Sequence, residues 1–129
     1  MNDNSASSQK LVLTIDDEPE ILDILKQCLE SEGFQVLAAA DPKQGLEMYE
    51  NRWQEIGLVL LDYAMPDMTG DLVFECLQRI NGDVRVILLT GCDDQVARKM
   101  FEVGLHGYIQ KPFYIDDLVQ RVREELGQV

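Results

Sequence analysis

Residues 11–19 read LVLTIDDEP, an apolar run of five that stops abruptly at three acids and a proline. A short apolar run bounded by polar residues suits a strand, and proline is tolerated in the first turn of a helix. The stretch therefore predicts strand, acidic loop, helix. The helix follows at once. Ile21, Leu22, Leu25 and Leu29 recur at helical spacing, Ile24 and Cys28 widen the stripe, and Gly33 supplies a left-handed stop, so the first helix spans about 19–31.

Working outward, the unit repeats. FQVLAAA (34–40) is a second strand, Asp41 an N-cap, Pro42 the first helical position, and Leu46, Met48 and Tyr49 mark a helix to about Glu50 that Gly45 weakens. IGLVLLD (56–62) is the most apolar strand. It lacks alternation, as expected of a central strand covered on both faces. YAMPDMTG (63–70) is a loop with Thr69 as the cap for a helix holding Leu72, Val73, Cys76, Leu77 and Ile80. VRVILLT (84–90) is the fourth strand, and a fourth helix runs from about Asp93 to Val103 and ends at Gly104. GYIQK (107–111) is the fifth strand, and a last helix carries Ile115, Leu118, Val119, Val122 and Leu126. Five alternating strand–helix units predict right-handed crossovers and a parallel sheet with helices on both faces. Ligands then belong at the carboxyl ends of the strands, where Asp16, Asp17, Asp62, Thr90 and Lys111 stand.

The 129 residues carry 24 Asp plus Glu against 11 Lys plus Arg, a formal charge of −13 that argues against direct binding of nucleic acid or an anionic membrane. The length and a 46% hydrophobic content suit one domain with a real core, expected over 10–127 behind a disordered tail at 1–9. The longest apolar run, Ile56 to Leu61, is far short of the roughly 20 residues that span a bilayer. The opening MNDNSASSQK lacks the basic start and apolar stretch of a secretory signal, which makes the cytoplasm the expected location. Cys28, Cys76 and Cys92 are widely spaced and His106 is the single histidine, so neither a disulfide scaffold nor a zinc site is expected.

Three carboxylates in one cleft repel one another, and a divalent cation resolves the conflict. Mg²⁺ suits an all-oxygen site of this kind. A metal beside a carboxylate, with an amine and a hydroxyl aimed at the same point, describes a phosphoryl site in which Asp62 attacks phosphorus to give an acyl phosphate. Each residue alone has a plainer role: Asp16 and Asp17 as helix caps, Thr90 bonded to backbone, Lys111 as a surface lysine. Their joint occurrence at four strand ends favours the chemical one.

The acid pair Asp16-Asp17, then Asp62-Tyr-Ala-Met-Pro66 with Gly70, then Thr90-Gly91, then Tyr108-Ile-Gln-Lys111-Pro112-Phe113 form an ordered set. Through it the chain resembles a response-regulator receiver domain of two-component signalling, over about 10–127. The resemblance implies a flavodoxin-like (βα)5 three-layer fold with strand order 2-1-3-4-5. It implies Asp62 as phosphoacceptor from a sensor histidine kinase or histidine phosphotransfer protein. Mg²⁺ is then held by Asp17, Asp62 and the Ala64 backbone carbonyl, with Asp16 acting through water. Lys111 pairs first with Asp62 and later with the phosphoryl group, while Thr90 and Tyr108 act as the switch. Such a domain is no turnover enzyme, since it catalyses only its own phosphorylation and dephosphorylation. The Tyr63–Gly70 loop resembles receivers attached to hybrid sensor kinases. Strand alternation places Tyr108 opposite in direction to Lys111, next to the fourth and fifth helices, and leaves Phe101 for a partner or for homodimerisation through the fourth helix, fifth strand and fifth helix.

Gly91 stands where the family more often has Ala. Cys92 lies near the pocket rim, His106 suits a surface or packing role, and Trp53 suits packing or, if near the pocket, a fluorescent reporter. Three other functions compete. A magnesium-dependent aspartyl-nucleophile phosphohydrolase requires a substrate pocket or cap that the sequence does not show. A degenerate receiver that only binds a partner would have lost Asp62, Lys111 or an acid. A flavin carrier needs a hydroxyl-rich phosphate loop where this chain has acids.

Overall fold

The computed structural model describes residues 11–91 and 94–127, so the expected tail and Cys92 lie outside the described residues. The chain runs β1 (Leu11–Ile15), α1 (Pro19–Ser31), β2 (Gln35–Ala39), α2 (Pro42–Arg52), β3 (Ile56–Asp62), α3 (Gly70–Ile80), β4 (Val86–Thr90), α4 (Asp94–Glu102), β5 (Gly107–Gln110) and α5 (Ile115–Glu125). All four strand pairs are parallel, in the order β2-β1-β3-β4-β5. This is the doubly wound three-layer architecture expected from the alternation.

Two cores explain the unbroken apolar strands. Leu13, Ile15, Val59, Leu61 and Leu88 pack with Tyr49 of α2, Phe74 and Leu77 of α3 and Met100 of α4. On the opposite face Val12, Leu58, Leu60, Ile87 and Leu89 pack with Leu25 and Leu29 of α1 and with Leu118 and Val122 of α5. In β3 every residue except Gly57 is buried, because its successive side chains serve the two cores in turn.

Helix ends follow local chemistry. Asp41 caps α2 by accepting the Gln44 N–H at 2.8 Å. Thr69 occupies the N-cap position of α3, but its hydroxyl bonds Asp71 Oδ1 at 2.5 Å and caps no backbone N–H. Gly33 and Gly104, at φ 96° and 113°, follow α1 and α4 in the left-handed region that glycine adopts without strain. Five elements differ in their bounds from the sequence expectation. β2 and β4 are shorter, α2 runs on to Arg52, and β5 closes at Gln110, which places Lys111 just past the strand. α4 closes at Glu102, so Val103 leaves the row of Val96 and Met100 and is 59% exposed.

Close approach, more than helix weakening, accounts for two glycines. A Cβ on Gly45 would stand 2.6 Å from Ile15 Cδ1, and one on Gly70 would stand 2.8 Å from Tyr63 Cα and 3.1 Å from the Asp62 carbonyl oxygen. The Gly70 N–H also bonds the Tyr63 carbonyl at 2.8 Å, clamping α3 onto the end of β3. Because a backbone atom cannot rotate away, Gly70→Ala is expected to cost about 2 kcal/mol in urea denaturation. Gly82→Ala, with nothing within 4 Å of the added carbon, serves as the neutral comparison.

Candidate functional site

Sheet register brings the acids together. Ile15 pairs with Leu61, so the next residues, Asp16 and Asp62, stand side by side at the carboxyl edge, and Asp62 pairs with Leu89, one residue before Thr90. Asp16 and Asp62 are buried and Asp17 is half-buried. One carboxylate oxygen from each of the three lies within 4.8 Å of the others. Asp16 Oδ1 accepts the Glu18 N–H at 2.9 Å, which fixes the turn into α1.

Lys111 reaches this group from the end of β5, where its backbone N–H bonds the Thr90 carbonyl at 2.8 Å. Its Nζ lies 3.0 Å from Asp62 Oδ1, 3.5 Å from Glu18 Oε1 and 3.6 Å from Asp16 Oδ2. Burial pushes the Asp16 carboxyl up to about 6; the charge of Asp62 adds to the effect, while the Glu18 N–H and Lys111 oppose it. Burial also raises Asp62, against its bond to Lys111 and a bond from the Ala64 N–H. Burial by itself lowers Lys111, but its bond to Asp62 and the charges of Asp16, Asp62 and Glu18 outweigh it and raise the ammonium above its ordinary value.

Asp16 Oδ2 is buried and accepts no hydrogen bond, with Lys111 too far for more than a charge interaction. An oxygen so placed, beside two further carboxylates, is left available to a hard cation. The residues present therefore fit Mg²⁺. With a lysine against Asp62 and a threonine buried at the next strand end, the arrangement suits formation of an acyl phosphate on Asp62.

Every predicted site residue lies at this end of the sheet except Tyr108. Its half-buried ring packs on the α2–α4 side, edge-on to Phe101 of α4 with centroids 6.0 Å apart, while Ile109 packs on the α1–α5 side. Phe101 is 42% exposed. Trp53 and His106 line a cavity of about 470 Å³ with Tyr49, Asn81 and Arg85 at the amino ends of the strands, so the indole is no reporter of the acids. Glu18 was not singled out as a site residue from sequence. Its place in the unbroken run Asp16-Asp17-Glu18 was the available signal, but contact with Lys111 depends on a partner 93 residues away.

The family model described as response regulator receiver domain matches residues 12–123. The transcriptional regulatory protein CpxR of Escherichia coli K12 is 35% identical over 113 residues, covering 87% of this chain and 47% of that protein. The sensor kinase CckA of Brucella abortus is 30% identical over 121 residues, covering 93% of this chain and 13% of that protein. The chain thus spans about half the length of CpxR and a smaller part of CckA. Among solved structures, a response regulator receiver domain protein from Clostridium thermocellum is similar at TM-score 0.86 and 30% identity, covering 92% of this chain and 94% of that one.

Proposed function

Because this chain belongs to the response regulator receiver domain family of phosphorelay signalling, we propose that Asp62 is its phosphoacceptor and that a sensor histidine kinase or histidine phosphotransfer protein is the donor. The observation that carries this reading is the Lys111 ammonium 3.0 Å from Asp62 Oδ1, within a cluster of three carboxylates. In the transfer, an Asp62 oxygen forms a bond to phosphorus as the phosphorus–nitrogen bond of phosphohistidine breaks. The electron pair leaves with the imidazole, which takes up a proton.

Asp17, Asp62 and the Ala64 backbone carbonyl are the proposed holders of Mg²⁺, with Asp16 acting through water. The bound ion supplies positive charge for the carboxylates and the arriving phosphoryl oxygens. Lys111 gives up its bond to Asp62 Oδ1 and takes a phosphoryl oxygen instead, while the Thr90 hydroxyl turns to another. The space Thr90 leaves admits the Tyr108 ring, and the packing of Phe101 against that ring carries the change to the surface of α4, β5 and α5. The exposed Phe101 and Val103 on that face support recognition by a partner or a second copy.

An apolar groove of about 550 Å³, lined by Ile21, Ile24, Leu25, Phe113 and Ile115 beside Lys111, supports docking of a protein donor next to the acceptor. Donor and acceptor then meet in the cytoplasm, and the domain acts by signalling, not by turnover of a free substrate. Among the described residues no helix is long and apolar enough to cross a membrane.

Incubation with acetyl phosphate and Mg²⁺ is expected to add one acid-stable, base-labile phosphoryl group, detected by intact mass. Asp62→Asn is expected to remove the signal. Equal labelling of that variant would show the acceptor to be another residue.

A further inference from the structure

Glu18 sits where the site opens to solvent. Its backbone is fixed from both sides, by the N–H bond to Asp16 Oδ1 and by Pro19 at the start of α1. Its side chain is 61% exposed, yet Oε1 turns back to Lys111 Nζ at 3.5 Å. Of the three carboxylates around that ammonium, Asp62 is the acceptor and Asp16 is buried toward the metal position. Glu18 is the exposed one, and neither role claims it.

We propose that Glu18 determines phosphodonor specificity: its carboxylate competes with the incoming phosphoryl group for Lys111 and so disfavours small, strongly anionic donors. The inference rests on Asp62 being the acceptor and goes further by naming the donor class the site selects against. An arriving phosphoryl group needs the same N–H donors that Glu18 and Asp62 hold at rest. Attack by Asp62 on phosphorus frees the bond from Lys111 to Asp62 but not the one to Glu18. Glu18 also adds direct repulsion. With 3.5 Å from Glu18 to the ammonium and 3.0 Å from there to Asp62, Oε1 lies no more than about 6.5 Å from Asp62 Oδ1. At that separation, even with the dielectric constant of water, one negative charge alters a rate by about threefold for each charge on the donor. A donor on a protein surface can compensate with its own basic residues, whereas a free small molecule cannot.

The test compares acetyl phosphate, which carries two negative charges near pH 7.5, with phosphoramidate, which carries a net charge of one. In the first reaction the bond from phosphorus to acetate oxygen breaks and acetate leaves with the electron pair. In the second the phosphorus–nitrogen bond breaks and ammonia leaves. Both form the same bond to Asp62. In the full chain at saturating Mg²⁺ and low ionic strength, Glu18→Gln is expected to raise the second-order rate about ninefold with acetyl phosphate and about threefold with phosphoramidate. The difference between donors should close as salt shortens the screening length to about 3 Å near 1 M. Glu20→Gln removes an equal charge from the exposed first turn of α1 without touching Lys111, and should change both rates less than about twofold. Equal changes with the two donors, unchanged rates in Glu18→Gln, or a Glu20→Gln effect of the same size would overturn the role of Glu18. A parent chain that neither donor labels at Asp62 would overturn the acceptor assignment itself, which is a separate failure.

Discussion

Asp16→Asn is expected to raise the melting temperature of the metal-free protein at pH 7.5 while weakening its binding of Mg²⁺. Burial holds the Asp16 carboxyl at about 6, against 3.8 for the free group, so the folded chain binds that proton more tightly than the unfolded chain does. The cost of ionising it is absent below the unfolded value, grows as pH rises between the two values, and is complete above the folded one. At pH 7.5 it amounts to about 3 kcal/mol, which corresponds to roughly 10 °C for a domain of this size. Asparagine keeps the oxygen that accepts the Glu18 N–H and puts an amide where Oδ2 finds no hydrogen bond. Plots of melting temperature against pH between pH 4 and 8 should therefore converge at the acid end, separate between about pH 4 and 6, and keep a constant gap above pH 6. Calorimetric titration at pH 7.5 should show the loss of Mg²⁺ affinity. A variant that melts below the parent at pH 7.5 would show that Asp16 supports the fold more than it burdens it.

Lys111→Met is expected to act in the opposite direction. The ammonium is the shared counter-charge of Asp16, Asp62 and Glu18, and its side chain is only 22% exposed. Removing it leaves two buried carboxylates facing each other, at a cost of about 2–4 kcal/mol at pH 7.5, somewhat under that of breaking a fully buried pair. Lys111 opposes the upward shifts of Asp16 and Asp62, so without it both rise further. Protonation then relieves the repulsion, and the loss measured by urea denaturation should shrink as pH falls toward 5. Mg²⁺ should recover more stability in the variant than in the parent, since the ion and the lysine neutralise the same charges. The rate of Asp62 phosphorylation should fall about 100-fold with the loss of a donor to the phosphoryl oxygens. A uniform loss of stability from pH 5 to 8 would indicate that the lysine contributes packing and little charge.

The architecture was legible because each strand–helix unit announces itself locally: LVLTI before three acids, Asp41-Pro42 at a helix start, Gly33 at a helix end. The placement of the acids at strand ends was equally readable, since a βα turn is a short-range feature. Contacts between distant segments were not. Nothing in Gly45 signals that Ile15 lies 2.6 Å from where its Cβ would be, so its local effect on helix propensity was all that could be read. Thr69 has the composition of a cap, but its hydroxyl prefers the carboxylate of Asp71 two residues on. Val103 continues the periodic row of α4 on paper, but Gly104 at positive φ lets the chain leave the helix first.

The strand order has a consequence for the growing chain. The first strand made lies inside the sheet, between the second and third, and the last helix packs on the same face as the first. Asp16 and Asp17 leave the ribosome before Asp62, which joins them when the third strand pairs, and Lys111 arrives 49 residues after Asp62. Up to that moment a nascent chain holds an acidic cluster with no ammonium beside it and lacks the fifth helix that closes one core. Closing contacts over such separations is the slow part of assembly. A chain cut short between Asp62 and Lys111 thus carries the proposed acceptor without the lysine that faces it, so premature termination there is expected to yield a silent fragment, not a signal detached from control.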